Sequence, residues 1–420
     1  MPNAGAIYSG AVIAMLAATP AHSQSDNSTT NSARLGAFEL ESDFDAGLVA
    51  AAGDSFGRFS GLFADLDARI QAEAITDAGV RWGAVVRLRA QADHGRNGFD
   101  GQAGSCLATG PGSDCHGFGA RSLATGRYNS VETGSPDRIQ AAAEAAYGYV
   151  RFGWGEIRAG RTQGAAALDQ PLPPSAFRLV NAGGGPIDPT GLEAGLARNS
   201  LSGFSTRVLV RSERVLGLRA ALSYTGQSEG CGVDYCVHET TDGTVTPPVG
   251  APVPVRLQGN TLNSVIEAGV SFDHTFRDAG RVELGAGLLL AEPDRAAPGS
   301  DDVRSWSVSG RWTFEDWSAG FSHLDVRQTA GQAYQATAAA ISLDRGDWRF
   351  AAEGALSSDD FLHEESRLVQ IGASRLVGDH ALIGAGVRTI DTDGALSTAG
   401  GRVQVRRSAT SFFVELGVRY

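Results

Sequence analysis

The chain has 420 residues, 42% of them hydrophobic and 20% charged, with a formal net charge of −12. That balance excludes a nucleic-acid binder, which needs clustered basic surface. All 35 basic residues are arginine, so chemistries that require a lysine (a Walker A loop, a Schiff base, a Ser-Lys dyad) are excluded as well.

At the N-terminus, Ala4 to Ala18 is apolar, and Ala21-His22-Ser23 offers small residues for cleavage before Gln24. Residues 1–23 therefore read as a secretory signal, too short to span a membrane as a helix. Its usual positive charge is missing, since no Lys or Arg precedes Arg34. A polar segment, 24–32, follows, and 33–420 reads as one domain. The four cysteines fall in two close pairs, Cys106 with Cys115 and Cys231 with Cys236. In an exported chain an even count reads as two small disulfides. A metal site recruiting His116 and His238 is the weaker reading, because these are not zinc spacings.

From residue 77 onward, short connections alternate with long polar ones. The short ones are Asp77–Gly79, Gly153–Gly155, Glu213–Leu216, Arg277–Gly280, Glu315–Asp316, Gly346–Asp347 and Gly378–Asp379. Each lies between two runs of period two, the signature of half-buried strands. After Gly79, Trp82, Ala84, Val86, Leu88 and Ala90 share one face, while Arg81, Val85, Arg87, Arg89 and Gln91 share the other. Near residue 304, Trp306, Val308, Trp312 and Phe314 oppose Ser305, Ser307, Ser309, Arg311 and Thr313. So many inward arginines exclude a dry core, because unpaired buried charge is prohibitive. Aromatic residues beside the short turns (Trp154, Phe276, Phe314, Trp317, Trp348) fit an interfacial girdle. Together these features predict an all-β, transmembrane antiparallel β-barrel. Seven tight turns join fourteen strands, and Leu35–Leu40 and Ser411–Tyr420 add one each, for about sixteen. Fourteen is the runner-up, if the poorly patterned Leu35 run is not a strand.

The last ten residues alternate to the end, with Phe412, Val414, Leu416, Val418 and Tyr420 on one face. This ending resembles the terminal strand of bacterial outer-membrane barrels. Two further blocks, Asp67 to Gly79 and Ala146 to Arg161, make the chain similar to the porins of alphaproteobacteria. The resemblance covers about residues 33–420. It implies an outer-membrane, water-filled channel for passive diffusion of ions and small hydrophilic solutes, built as a homotrimer among outer-membrane lipid and lipopolysaccharide, with no cofactor. It also implies that the long segment Thr162 to Asn199 is a constriction loop folded into the lumen. On that mapping Asp169, Asp188 and Glu193 form an acidic loop facing a basic wall of Arg69, Arg87, Arg89 and Arg158. Alternatives are a barrel hydrolase or a solute-selective porin. A hydrolase lacks a motif: His363-Glu364-Glu365 is not H-E-x-x-H. The paired acids Asp301-Asp302, Asp359-Asp360 and Asp391/Asp393 read as solvated surface groups, with calcium the minority reading.

Overall fold

The computed structural model describes residues 31–35, 38–54, 60–92, 139–192, 195–228, 233, 241–245, 253–257, 261–293, 302–327, 333–360, 363–398 and 401–419. In chain order the elements are β1 (Asn31–Leu35), β2 (Phe38–Asp54), β3 (Ser60–Ile75), β4 (Arg81–Ala92), β5 (Ile139–Phe152) and β6 (Gly155–Gln163). A one-turn helix, α1 (Ala165–Leu168), opens the long loop before β7 (Phe204–Ser212) and β8 (Leu218–Gln227). Next come β9 (Thr241–Val245), β10 (Val253–Leu257), β11 (Leu262–Phe276), β12 (Gly280–Pro293), β13 (Val303–Phe314) and β14 (Trp317–Arg327). The chain ends with β15 (Ala333–Arg345), β16 (Trp348–Asp359), β17 (Glu364–Val377), β18 (Ala381–Thr398) and β19 (Gly401–Arg419).

Strands β2 to β8 and β11 to β19 pair antiparallel with their chain neighbours, β8 joins β11, and β19 returns to β2. The result is a closed ring of 16 strands. β9 and β10 form a separate hairpin. All seven short connections fall where the alternation ends. Gly79, Gly346 and Gly378 reverse the chain there with φ of 78°, 59° and 63°, a conformation glycine adopts without a Cβ clash.

The first strand differs from the sequence reading. Leu35–Leu40 straddles a break between β1 and β2, and the first strand of the ring is Phe38–Asp54. Its period was hidden because one face carries acids, Glu39, Glu41, Asp43 and Asp45, which read as loop. In the ring they alternate with Leu40, Phe44, Ala46 and Leu48, and the acids sit on the lumen side. β19 pairs with β2 only from Asp45 to Asp54, and β1 pairs with the remaining end, Phe38 to Ser42. The seam is therefore paired beyond the reach of the last strand.

Burial is inverted relative to a soluble sandwich. On β4, Trp82 and Leu88 are 44% and 48% exposed, while Arg89 and Gln91 on the opposite face are 6% and 5% exposed. Leu284, Leu288, Trp306, Phe321, Ile341, Ile371 and Leu416 are likewise exposed, and Ser305, Ser307, Ser309, Gln370 and Glu415 are buried. Apolar side chains face outward and polar ones inward, as in a barrel solvated by lipid outside and water within. Outward aromatics gather at the short-turn end. Phe152 stacks on Trp154, Trp312 on Phe314 and Trp348 on Phe350, and the Arg375 guanidinium lies over Trp348. That belt suits a headgroup boundary, where an aromatic body meets lipid and its polar edge meets water. A cysteine at Glu283 should react with a membrane-impermeant thiol reagent in intact membranes, and one at Leu284 should not. The reverse labelling would invert the barrel's faces.

Candidate functional site in the loop-lined lumen

The loop from Gly164 to Gly203 does not project from the barrel. It runs mainly along the inward face of β8 and β11 to β19, touches β2 and β4 as well, and the strands are shaped to receive it. A Cβ at inward Gly285 would lie 2.9 Å from Pro171, and one at Gly320 would lie 2.9 Å from Pro174. Phe177 fills the space over Gly372, Gly384 and Gly386, and Leu179 fills that over Gly47. Ala165 and Ala166 cover Gly269 and Gly287 in the same way. These inward glycines form a track that a larger side chain would block, because close backbone approach needs their missing Cβ. Phe177 also packs edge-on against Phe413, at 4.7 Å between ring centroids.

Two strand carboxylates hold the loop by its backbone. Glu415 on β19 accepts hydrogen bonds from the amides of Arg178 (2.8 Å), Leu179 (3.1 Å) and Val180 (3.3 Å). Glu353 on β16 accepts from Ser175 Oγ (2.5 Å), the Ala182 amide (3.0 Å) and Gln370 Nε2 (3.2 Å). Each such bond to a charged acceptor contributes about 1.5–3 kcal/mol. The returning half is fixed similarly. The Leu196 amide donates to Tyr334 Oη, and Ser305 Oγ donates to Asn199 Oδ1. Ser202 Oγ and the Arg207 guanidinium both donate to buried Glu267. Prolines at 171, 173, 174, 186 and 189 limit the loop's freedom and so the entropy it loses on docking.

The wall of β3 to β6 carries a ladder of charges. Asp43 lies 3.2 Å from Arg69. Arg87 forks onto Asp67, with Nε 2.9 Å from both oxygens. Arg89 forks onto Asp65, at 2.9 Å from Nε and 2.5 Å from Nη2. Glu144 reaches both arginines, 3.4 Å from Arg87 and 3.5 Å from Arg89. It can do so because of a β-bulge. Arg87 faces Ala145 and Leu88 faces Ala143, so Glu144 is the extra residue, aimed inward. Below, Arg158 pairs with Glu156, Arg151 lies 2.7 Å from the same carboxylate, and Tyr149 Oη donates to Glu73 at 2.8 Å.

The predicted site residues are thus distributed differently from the expected opposition of basic wall and acidic loop. Arg69, Arg87, Arg89 and Arg158 all face inward, but acids of the wall itself pair with them. The alternation that turns Arg69 inward also turns Asp65, Asp67 and Glu73 inward, so the wall is mixed in charge. Asp169 pairs with Arg211 and lies 3.8 Å from Arg219. Asp188 is buried beneath the loop, 3.5 Å from Arg388, and caps Thr190. Neither acid is paired with the predicted arginines. Glu193 and the four cysteines, Cys106, Cys115, Cys231 and Cys236, lie outside the described residues. Asp391 and Asp393 both lie within 4 Å of Arg406. Sequence reasoning missed Glu353 and Glu415, although both sit at inward phase on well-patterned strands. It missed Glu144 because the bulge breaks the period of two.

A closed 16-strand barrel with a lipid-facing apolar band, a polar interior and a loop packed inside it defines an outer-membrane β-barrel protein of the channel type. A family model for Gram-negative porins matches residues 10–395, and the chain belongs to that family. Its location is the bacterial outer membrane. Among solved structures, the chain is similar to the outer-membrane protein OmpT of Vibrio cholerae in its trimer form, with TM-score 0.52 and 12% identity over 92% of this chain and 100% of that one. It is similar to Salmonella typhi OmpF in complex with daunomycin, with TM-score 0.50 and 11% identity over 90% and 98%. The anion-selective porin of Comamonas acidovorans gives TM-score 0.50 and 12% identity over 91% and 99%. No curated protein matches. At such identities these likenesses speak for the fold.

Replacing Glu415 by Ala strands three loop amides without their carboxylate. The barrel should survive, because its ladder is untouched, while the loop loosens. Limited proteolysis within residues 170–200 should accelerate in Glu415→Ala and in Gly372→Leu, with resistance of the folded barrel to heat in detergent unchanged. Equal cleavage rates in variant and parent would contradict the latch.

Proposed function

We propose that the chain forms a water-filled channel for passive diffusion of ions and small hydrophilic solutes, with its narrowest section between the docked loop and the charged wall of β3 to β6. The observation that carries this is the loop's course. It lies on the inward face of β8 and β11 to β19, and reaches β2 through Leu179 over Gly47 and β4 through Gln91. It leaves Arg69, Arg87, Asp67 and Arg158 partly exposed on the facing wall, with Asp65, Arg89 and Glu144 buried among them. In this reading the wall, and not an opposed acidic loop, sets the field that a solute meets, since low-dielectric surroundings focus the field of fixed charges in a narrow aqueous passage. The similar OmpT of Vibrio cholerae, seen in a trimer form, supports a homotrimer. Residues 1–23 as a cleaved signal, the two disulfides, contacts with lipopolysaccharide and the narrower kinship with alphaproteobacterial porins belong to the same proposal.

Planar-bilayer recording under a salt gradient tests it. Arg87→Gln with Arg89→Gln leaves Asp65, Asp67 and Glu144 in excess, so reversal potential should move toward cation preference. Asp65→Asn with Asp67→Asn should move it toward anions. Both shifts should shrink as salt rises and the Debye length falls from about 10 Å at 0.1 M to about 3 Å at 1 M. If neither pair changes the low-salt reversal potential, the narrow section lies elsewhere.

A further inference from the structure

Where α1 ends and the loop begins, three arginines of the β7–β8 hairpin converge. Arg211 forks onto Asp169, its Nε donating at 2.8 Å. Arg219 Nη1 is 3.8 Å from an oxygen of the same carboxylate. Arg214 donates to the Gly217 carbonyl at 2.7 Å and to Ser271 Oγ at 3.4 Å, both neutral oxygens. One carboxylate, Asp169, thus bonds Arg211 and lies near Arg219, while Arg214 is bonded to neutral oxygens.

Asp273 attracts Arg214 and Arg219, and Glu213 attracts Arg219, only at longer range. Asp273 is taken by Arg281, at 2.9 Å to each oxygen, and Arg281 also reaches Glu283 at 3.1 Å. Glu213, in the turn, adds one negative charge close to Arg219 but makes no ion pair with it within 4 Å. In addition, Arg219 Nε is buried with no acceptor among the described residues. Buried donors are nearly always satisfied, so this one points to a partner.

We propose that Arg211, Arg214 and Arg219, with Ser271, form a binding site for the anionic group of a passing solute, a carboxylate or a phosphate. The proposal rests on the channel reading and names a solute class for it. The site lies on the periplasmic side of the loop, beside the short turn between β7 and β8. Guanidinium groups suit it because their planar forks match two-oxygen anions and stay charged at any relevant pH. Asp169 acts as the built-in anion. It holds Arg211 and offsets part of the repulsion among the three cations. An incoming anion takes Arg214, whose donors face neutral oxygens, and Arg219, whose Nε has no acceptor among the described residues.

The test is calorimetric titration of the detergent-folded protein with inorganic phosphate and, separately, with succinate, at low salt. Saturable binding of at least one anion is expected, weakened by about tenfold or more in Arg214→Gln with Arg219→Gln, the loss of about one charged hydrogen bond or more. Arg219→Lys, which keeps the charge and loses the fork, should fall between. Arg345→Gln, in the exposed β15–β16 turn, should bind as the parent does. Heat resistance of the barrel in detergent confirms that each variant has folded. Binding of phosphate alone or succinate alone supports the site and fixes the anion class. No saturable binding of either anion, or equal affinity in parent and double variant, overturns it. Binding without any channel current would overturn the channel reading and leave the site standing.

Discussion

Hydrocarbon offers no water to an unpaired backbone group, so a sheet that crosses a membrane must close on itself. The pairing of β19 with β2 is the contact on which this molecule depends. Ten residue pairs, from Thr410 with Asp54 to Arg419 with Asp45, join strands 356 to 374 residues apart in sequence. β1 then covers the part of β2 that β19 does not reach. Closure fixes the direction of every side chain. Once no edge remains, period two divides each strand into a lipid face and a lumen face, and the polar residues have only the lumen to occupy.

That interior creates the next constraint. A 16-strand ring is too wide for side chains to fill, so its polar wall remains wet unless something else occupies it. The loop of residues 164–203 supplies filling mainly against β8 and β11 to β19, with further contacts to β2 and β4. Its docking combines two kinds of contact that solve different problems. The glycine track lets a backbone lie flat on the strands, and Phe177 over Gly372, Gly384 and Gly386 fixes its depth. The carboxylates of Glu353 and Glu415 satisfy loop amides that have no strand partner. A buried loop without such acceptors would leave amide donors orphaned, each at a cost of about 1–3 kcal/mol. The acids that hold the loop belong to the barrel, so the loop's seat is part of the strands.

Much of this architecture was legible in the sequence, and each failure has a physical reason. All seven short turns were visible, because Gly79, Gly346 and their counterparts interrupt strict alternation where the chain reverses. The lipid face was visible too, since Trp82, Leu284 and Trp306 keep phase with their neighbours. β2 was misplaced because Glu39, Glu41, Asp43 and Asp45 look like loop to a reader who expects one face of a strand to be dry. Partners were harder than faces. Inward phase was right for Arg87 and Arg89, yet it says nothing of the Asp65 and Asp67 carboxylates one strand away, whose pairing depends on register. Asp188 was expected to face the wall, but a loop's fold decides which of its acids is covered. Glu144 was invisible, because a bulge is a departure from the period that makes strands readable.

The distribution of charge between loop and wall follows from how each is held. Strand side chains have positions fixed by the hydrogen-bond ladder, so an Asp–Arg pair such as Asp65–Arg89 keeps its geometry without help from the loop. A loop acid left facing water would be free to move, and its carboxylate would contribute little to docking. Asp188 instead lies under the loop with Arg388 and caps Thr190, and Asp169 pins the loop's root to Arg211. Both acids serve the loop's attachment. The charges left to meet a solute then sit on the stiffest part of the molecule, where thermal motion averages their field least. Shape comes from the loop and charge from the strands, so a substitution in either can change one property while sparing the other.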